Sequence, residues 1–134
     1  MGNLRILIAD DHPAIREGVR TVLTKQANWA VCGEAVDGWD ALEKAKSMKP
    51  DVILLDVRMP NLGGLEAMVV IKREVPEAAV IILSQHDPEE IRPYAMQAGA
   101  SAVVSKYDVE RDLLPTIERV LQKQRHEKIC QLER

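Results

Sequence analysis

The chain contains no phenylalanine, and aromatic residues make up only 3% of its 134 residues. Cysteine is scarce too, since Cys32 and Cys130 are the only two, which is too few for a disulfide-based scaffold. We therefore expect both thiols to be reduced, as in a cytoplasmic protein. No apolar run approaches the roughly 20 residues of a membrane-spanning helix, and the N-terminus lacks a signal-peptide pattern. These absences argue against a small secreted protein and against an integral membrane protein.

An excess of basic residues is also missing. Lysine and arginine together number 18 against 21 aspartates and glutamates, which gives a net charge of −3 and a pI of about 5.6. A chain of this charge is not expected to bind nucleic acid by itself. Apolar residues at 46% and charged residues at 29% are typical of a globular protein, and the length suits one domain with a substantial core.

Strand and helix signals alternate five times along the chain. Short runs rich in Ile, Val and Leu, bounded by polar residues, are typical of buried strands in a parallel sheet. Such strands are predicted at 4–9, 29–35, 52–56, 78–84 and 101–105. Each is followed by apolar residues at helical spacing. The predicted fold is therefore α/β, a (βα)5 doubly wound five-stranded parallel sheet in the order 2-1-3-4-5, with the second strand at an edge.

Two prolines interrupt the helical pattern. Pro93 lies within the predicted fourth helix and Pro115 within the fifth. An interior proline removes one helical hydrogen bond and costs roughly 3 kcal/mol or more. We therefore predict a kink or a late start in each of these helices.

The last residues differ from the rest of the chain. From about Gln122 the apolar pattern weakens, and Lys123, Arg125 and Lys128 make the stretch basic. We predict one domain over residues 1–121. Residues 122–134 are predicted to be a helical extension or the start of a linker to an output domain.

Three aspartates stand where predicted strands end. Asp10 and Asp11 follow the first strand, and Asp56 closes the third. Ligand sites in open α/β sheets lie beyond the carboxyl ends of strands, where strand order reverses, so we expect these carboxylates to meet. Such close carboxylates repel each other unless protons or a cation intervene. A hard divalent ion such as Mg²⁺ is the predicted occupant.

Ser84 ends the fourth predicted strand, and Lys106 follows the fifth. With the acids they would supply a carboxylate nucleophile at Asp56, a hydroxyl donor, a fixed cation and a metal site, which phosphoryl transfer to an aspartate requires. Taken singly, each residue has a plainer interpretation: an aspartate that caps a helix, a serine in a turn, a solvated lysine. Their joint position at the same end of successive strands favours the functional interpretation.

These residues closely resemble a known family. The resemblance is to CheY-like receiver domains of two-component response regulators, and it covers about residues 4–121. It is carried by Ile8–Pro13, Leu55–Pro60, Ser84, Ala98–Ser101 and Lys106. The stretches 16–18 and 33–38 are similar to the NarL/FixJ subfamily of LuxR-type transcriptional regulators.

The resemblance implies how the acids act. Asp56 would be the phosphoacceptor. Mg²⁺ would be held directly by Asp11 and Asp56, by Asp10 mainly through water, and by the backbone carbonyl of Arg58. Such a domain is not an enzyme in the usual sense, since it would catalyse only its own phosphorylation and dephosphorylation.

The resemblance also implies the partners. The phosphoryl donor would be a sensor histidine kinase, with small acyl phosphates as substitutes, and phosphorylation could promote a homodimer. Ser84 and Lys106 would each contact a phosphoryl oxygen, and His86 lies where side chains tune phosphate lifetime.

The output is expected at the face formed by the fourth helix, fifth strand and fifth helix. Many receivers carry an aromatic residue three positions before the lysine, where this chain has Val103, so we expect helix shifts rather than a ring flip. Transcription would be controlled through a DNA-binding domain outside this chain. The alternatives are a stand-alone or phosphate-independent receiver that acts as a protein-binding module, and an aspartate-nucleophile phosphohydrolase. The hydrolase is disfavoured because Arg58 stands where its second aspartate would be.

Overall fold

A computed structural model describes residues 3–132, in which strands and helices alternate. The strands are β1 (Leu4–Ala9), β2 (Trp29–Ala35), β3 (Val52–Asp56), β4 (Ala79–Ser84) and β5 (Ala102–Ser105). The helices are α1 (Pro13–Leu23), α2 (Gly38–Met48), α3 (Gly64–Glu74), α4 (Pro88–Ala98) and α5 (Val109–Leu132). A single turn of 3₁₀ helix at Lys106–Asp108 joins β5 to α5.

The five strands form one parallel sheet in the order β2-β1-β3-β4-β5. This confirms the predicted fold and the edge position of β2. The order reverses between β1 and β3, so the carboxyl ends of these two strands are neighbours. The register sets Asp56 of β3 opposite Leu83, and Ser84 of β4 opposite Ser105.

Helices cover both faces of the sheet. The buried side chains of α2, α3 and α4 pack in one cluster with Leu7, Ile53 and Val80. Those of α1 and α5 pack in a second cluster with Ile8 and Leu54. Because the central strands are buried on both sides, they are continuously apolar in sequence rather than alternating.

The helices begin and end at residues that are typical of helix termini. Pro13 occupies the start of α1, where its missing N–H is not needed. The side chain of Asp37 accepts a hydrogen bond from the backbone N–H of Asp40 and caps α2. Gly99 ends α4 with φ of 115°, a left-handed conformation that glycine adopts without steric cost.

The prolines do not delay their helices. Helix α4 begins at Pro88 and continues across Pro93, and α5 begins at Val109 and continues across Pro115. The prediction of a late start was therefore wrong, and a kink at either proline stays a prediction. Tertiary packing overrides the local penalty, since Ala95 of α4 and Ile117 of α5 are fully buried beyond the prolines.

Helix α5 extends well past the packed domain. Its residues Leu113, Ile117 and Val120 are buried, whereas those beyond Leu121 are largely exposed, Ile129 and Leu132 among them. A division of the chain near residue 121 stays a prediction, and residues 133–134 lie outside the described part. Within residues 3–132, no helix combines the length and the apolar character needed to cross a bilayer.

One glycine permits a close backbone contact beneath the carboxyl end of β3. The backbone N–H of Gly64 donates to the carbonyl of Val57 at 2.9 Å. A Cβ at Gly64 would lie 1.9 Å from the backbone oxygen of Asp56, which is a severe clash with main chain. Only glycine therefore fits where α3 begins under the Asp56 peptide.

The variant Gly64→Ala is expected to lower the free energy of unfolding by about 1–3 kcal/mol, because β3 and α3 would have to move apart to make room for the new methyl group. The matched control is Gly18→Ala in α1, where a Cβ meets nothing within 4 Å. That variant should raise the free energy of unfolding by about 0.5–1 kcal/mol. Urea denaturation of both variants checks this, and equal stability of Gly64→Ala and the parent chain would contradict it.

Candidate functional site

Three carboxylates meet at the carboxyl edge of the sheet. Asp10 and Asp11 lie in the loop after β1, and the backbone N–H of Asp10 donates to the carbonyl of Ala35 at 3.0 Å. Asp56 is the last residue of β3, the strand beside β1. One ligand atom from each of Asp10, Asp11, His12 and Asp56 lies within 4.8 Å of the others. The parallel sheet therefore gathers acids that are far apart in the sequence.

The ammonium group of Lys106 lies between two of these acids. Its Nζ is 2.7 Å from Asp10 Oδ2 and 3.1 Å from Asp56 Oδ2. The Lys106 side chain is 2% exposed, and those of Asp10 and Asp56 are 0% and 4% exposed. These contacts have ion-pair distances without the angles of hydrogen bonds. The pairing is thus chiefly Coulombic, in a region that water screens poorly.

Burial is the largest influence on the Asp56 carboxyl. It raises the pKa of Asp56 above its usual value, and the neighbouring charge of Asp10 raises it further. Lys106 and the backbone N–H of Arg58, which is 3.3 Å from Asp56 Oδ1, act in the opposite direction. A second cation at the site would favour the ionised carboxylate.

The carboxylate oxygens fit a hard divalent cation. Asp10 Oδ2, Asp11 Oδ1 and Asp56 Oδ2 are buried and have no hydrogen-bond partner among the described residues. Oxygen atoms of this kind are the ligands that Mg²⁺ binds. Three carboxylates against one ammonium also leave the cluster with an excess of negative charge. The donor set therefore suits the Mg²⁺ that the sequence predicts.

Ser84 is the last residue of β4, the strand next to β3, and its hydroxyl bonds to the backbone of His86. The buried Ser84 hydroxyl accepts a hydrogen bond from the His86 backbone N–H at 3.1 Å and donates to the His86 carbonyl at 3.3 Å. The structure thus brings Asp10, Asp56 and Lys106 into contact, whereas the Ser84 hydroxyl bonds to the segment that follows β4.

The sequence reasoning missed His12 as a member of the cluster. Its Nδ1 is 3.1 Å from Asp10 Oδ1 and 3.2 Å from Asp11 Oδ1, and its backbone N–H donates to Asp10 Oδ1 at 2.9 Å. The only available signal was its place immediately after the two aspartates.

The sequence reasoning also missed Arg16 and Glu34, which together hold the backbone of Asp10. Arg16 donates through Nη1 to the Asp10 carbonyl at 2.7 Å and through Nε to Glu34 Oε1 at 2.8 Å. Arg20 forms an ion pair with the other Glu34 oxygen. Glu34 lies on β2, so no sequence spacing relates it to α1.

This chain belongs to the response regulator receiver domain family. The family profile matches residues 6–118. This range includes Lys106 and the acid cluster, which we define as Asp10, Asp11, His12 and Asp56. The observed sheet of five parallel strands is the fold expected for this family. Receiver domains of this kind are parts of two-component signalling proteins and do not form a classical enzyme family.

Curated relatives extend the comparison. A transcriptional regulatory protein of Bacillus subtilis, YxjL, is 40% identical over 85% of this chain and 52% of its own length. The response regulator UvrY of Escherichia coli is 34% identical over 92% of this chain and 56% of its own length. The chain therefore spans about half the length of the curated relatives it matches.

Solved structures show the same architecture. The receiver domain of a NarL response regulator from Mycobacterium tuberculosis is 34% identical, with a TM-score of 0.80, over 93% of this chain and 98% of that one. A LuxR-family response regulator from Aurantimonas is 32% identical, with a TM-score of 0.85, over 91% of this chain and 87% of that one.

The ion pairs of Glu34 predict a pH-dependent contribution to stability. Hydrogen bonds from Arg20 and then Arg16 hold the pKa of Glu34 below its usual value, despite partial burial. The unfolded chain therefore binds a proton at Glu34 more readily than the folded one. The stabilisation is fully present above the unfolded pKa of about 4.3 and is lost as the pH falls through the folded pKa.

Glu34→Gln should accordingly reduce the free energy of unfolding at pH 7, by about 1 kcal/mol for partly exposed ion pairs. The difference from the parent chain should shrink in acid. Denaturant titrations at several pH values measure it, with Glu17→Gln as the control, since Glu17 is exposed and has no ion pair within residues 3–132. A deficit that persists unchanged below the folded pKa would contradict the argument.

Proposed function

We propose that Asp56 accepts a phosphoryl group and that this chain acts as a phosphorylation-dependent switch. The observation that carries the proposal is the buried Asp56 carboxylate, 3.1 Å from the Lys106 ammonium and clustered with the acids of the β1 loop. A plain structural salt bridge would need one acid for one base. The surplus of carboxylates is what an ion-assisted phosphoryl transfer requires.

The proposed metal ligands are those that the resemblance to receiver domains implies. Asp11 and Asp56 would hold Mg²⁺ directly, Asp10 mainly through water, and the backbone carbonyl of Arg58 would complete the protein ligands. When bound, the ion neutralises charge on the transferring phosphoryl oxygens.

The chain's own side chains would act as follows. An Asp56 carboxylate oxygen attacks phosphorus while the bond between phosphorus and the donor's leaving atom breaks, which produces an acyl phosphate. Lys106 stays beside the new oxyanions and compensates their charge. Ser84 would exchange its bonds with the His86 backbone for a hydrogen bond to a phosphoryl oxygen.

The new contacts of the phosphoryl group can supply enough free energy to shift a conformational equilibrium. A phosphoryl group adds about −1.5 to −2 charges and three acceptor oxygens. Reversing a 1:99 equilibrium takes about 5.5 kcal/mol of differential interaction, and hydrogen bonds to charged groups contribute about 1.5–3 kcal/mol each. Movement of Ser84 and Lys106 would shift the ends of β4 and β5, and with them the face formed by α4, β5 and α5.

The switch would work without an aromatic partner. Val103 is buried in β5, while Tyr94 and Tyr107 are 66% and 80% exposed. Both tyrosines are therefore surface residues. We infer that α4 and α5 shift as units.

The wider setting is inferred from the relatives. YxjL of Bacillus subtilis is described as a transcriptional regulatory protein. By analogy, the donor would be a sensor histidine kinase and the setting the cytoplasm. Output would pass through a DNA-binding segment beyond residues 122–134, with a homodimer as one consequence of phosphorylation. Residues 1–121 would form the receiver itself.

Labelling tests the acceptor assignment. Incubation with a radiolabelled small acyl phosphate should label the parent chain only when Mg²⁺ is present, and Asp56→Asn should abolish the label because the nucleophile is gone. Asp112→Asn is the control, since Asp112 pairs only with Arg111 in the described chain. Undiminished labelling of Asp56→Asn would refute the assignment. A folded parent chain that stays unlabelled would favour a phosphate-independent binding module.

Binding of Mg²⁺ should also stabilise the fold. Saturation at about 100 times Kd adds about 2.7 kcal/mol to the free energy of unfolding, seen as a higher Tm. Asp11→Asn should need at least about tenfold more Mg²⁺ for the same shift, because it removes a charged ligand. Asp112→Asn should behave like the parent chain. Thermal melts at graded Mg²⁺ concentrations measure this, and identical responses of Asp11→Asn and the parent would exclude the site.

A further inference from the structure

Arg16 of α1 connects the loop that carries the acids to the edge strand β2. Its guanidinium group donates through Nη1 to the Asp10 carbonyl at 2.7 Å and through Nε to Glu34 Oε1 at 2.8 Å. The Arg16 side chain is only 16% exposed. Arginine presents its N–H donors in a rigid planar fork, so the bond to Glu34 fixes the direction of the donor that reaches Asp10.

The carbonyl that Arg16 binds belongs to the peptide unit between Asp10 and Asp11. Because a peptide unit is planar, the direction of this carbonyl also sets the backbone from which the Asp11 side chain projects. On the other side of Asp10, its backbone N–H donates to the Ala35 carbonyl at 3.0 Å. The Asp10 backbone is therefore held from two sides, and both bonds depend on β2.

Glu34 is itself a fixed anchor. Arg20 forms an ion pair with its second carboxylate oxygen. From α2, the ammonium group of Lys44 donates to the Glu34 backbone carbonyl and lies 3.2 Å from Asp40 Oδ2. Both helices that flank β2 thus hold Glu34, so Arg16 reaches the acids from a rigid support.

The metal site needs this kind of support. Ligand groups must be held within about 0.5 Å of their productive positions, and loss of an outer group that orients a ligand typically weakens metal binding about 10–100-fold. We propose that Arg16 is a positioning residue, which fixes the peptide between Asp10 and Asp11 and thereby raises the Mg²⁺ affinity of the acid cluster. This inference rests on the part of the proposed function that assigns Mg²⁺ to these acids.

The charge of Arg16 acts in the opposite direction to its positioning effect. A cation this near to the acid cluster repels Mg²⁺, so on charge alone the loss of Arg16 would strengthen Mg²⁺ binding. Loss of the bond to the Asp10 carbonyl would weaken Mg²⁺ binding instead. A purely structural tie between α1 and β2 would change stability but not affinity, since a variant that stays folded keeps its binding-competent state populated.

Calorimetric titration with Mg²⁺, without any phosphoryl donor, separates these roles. Arg16→Lys keeps the charge, but a single ammonium group cannot reproduce the fork, so the Kd for Mg²⁺ should rise about tenfold. Arg16→Gln removes the charge, and its Kd should also rise. Arg20→Lys is the matched control and should keep the parent Kd. Arg20 lies on the same helix and, within residues 3–132, its side chain pairs with Glu34 alone.

A second readout needs no metal. The Asp11 amide shares its peptide unit with the Asp10 carbonyl, so its nitrogen-15 chemical shift reports the bond from Arg16. In the Mg²⁺-free chain this shift should change in Arg16→Lys and stay unchanged in Arg20→Lys. A structural role of Arg16 elsewhere in α1 would not move this signal selectively.

A Kd of Arg16→Lys equal to that of the parent chain would overturn the inference, and so would a lower Kd for Arg16→Gln. A parent chain that binds no Mg²⁺ would overturn the assigned metal site and this inference together. The role of Arg16 and phosphoryl transfer to Asp56 remain distinguishable, because labelling of Asp56 tests the transfer whereas these titrations contain no phosphoryl donor.

Discussion

The ammonium group of Lys106 between Asp10 and Asp56 is the interaction on which the rest of the structure depends. All three side chains are almost fully buried, and charges removed from water are costly unless they are paired closely. One ammonium cannot compensate all the carboxylates of the cluster. The edge of the sheet therefore holds more acidic groups than Lys106 can pair with. That imbalance makes the site receptive to a further cation and sensitive to a phosphoryl group.

The surrounding framework is built to hold this arrangement. The sheet order makes β1 and β3 neighbours, so the acids meet without any long loop. Gly64 lets α3 begin directly against the Asp56 peptide. Arg16, anchored by Glu34 of the edge strand, binds the Asp10 carbonyl at 2.7 Å. Asp10 and Asp56 are therefore positioned through their backbones as well as their side chains, which preorganises the site.

Much of the fold and part of the site could be predicted, for reasons visible in particular residues. Strands such as Val52–Asp56 are buried on both faces, so their composition alone predicts them. Pro93 does not delay the start of α4, because the local penalty of proline takes no account of the burial of Ala95 beyond it. Glu34 was missed as a partner of Arg16, since contacts across separate elements follow no sequence period. The hydroxyl of Ser84, bonded to the His86 backbone, shows that a strand-end position does not settle orientation.

The sequence by itself determined the order of the elements, the parallel sheet and which polar residues end its strands. Those properties depend on apolar periodicity and chain order, which are local or nearly so. Only the tertiary structure decided that Lys106 pairs with Asp10 as well as Asp56, that His12 joins the acids and that Arg16 binds the Asp10 carbonyl. Such contacts depend on strand register, rotamers and burial, and these are set by the packing of the whole domain.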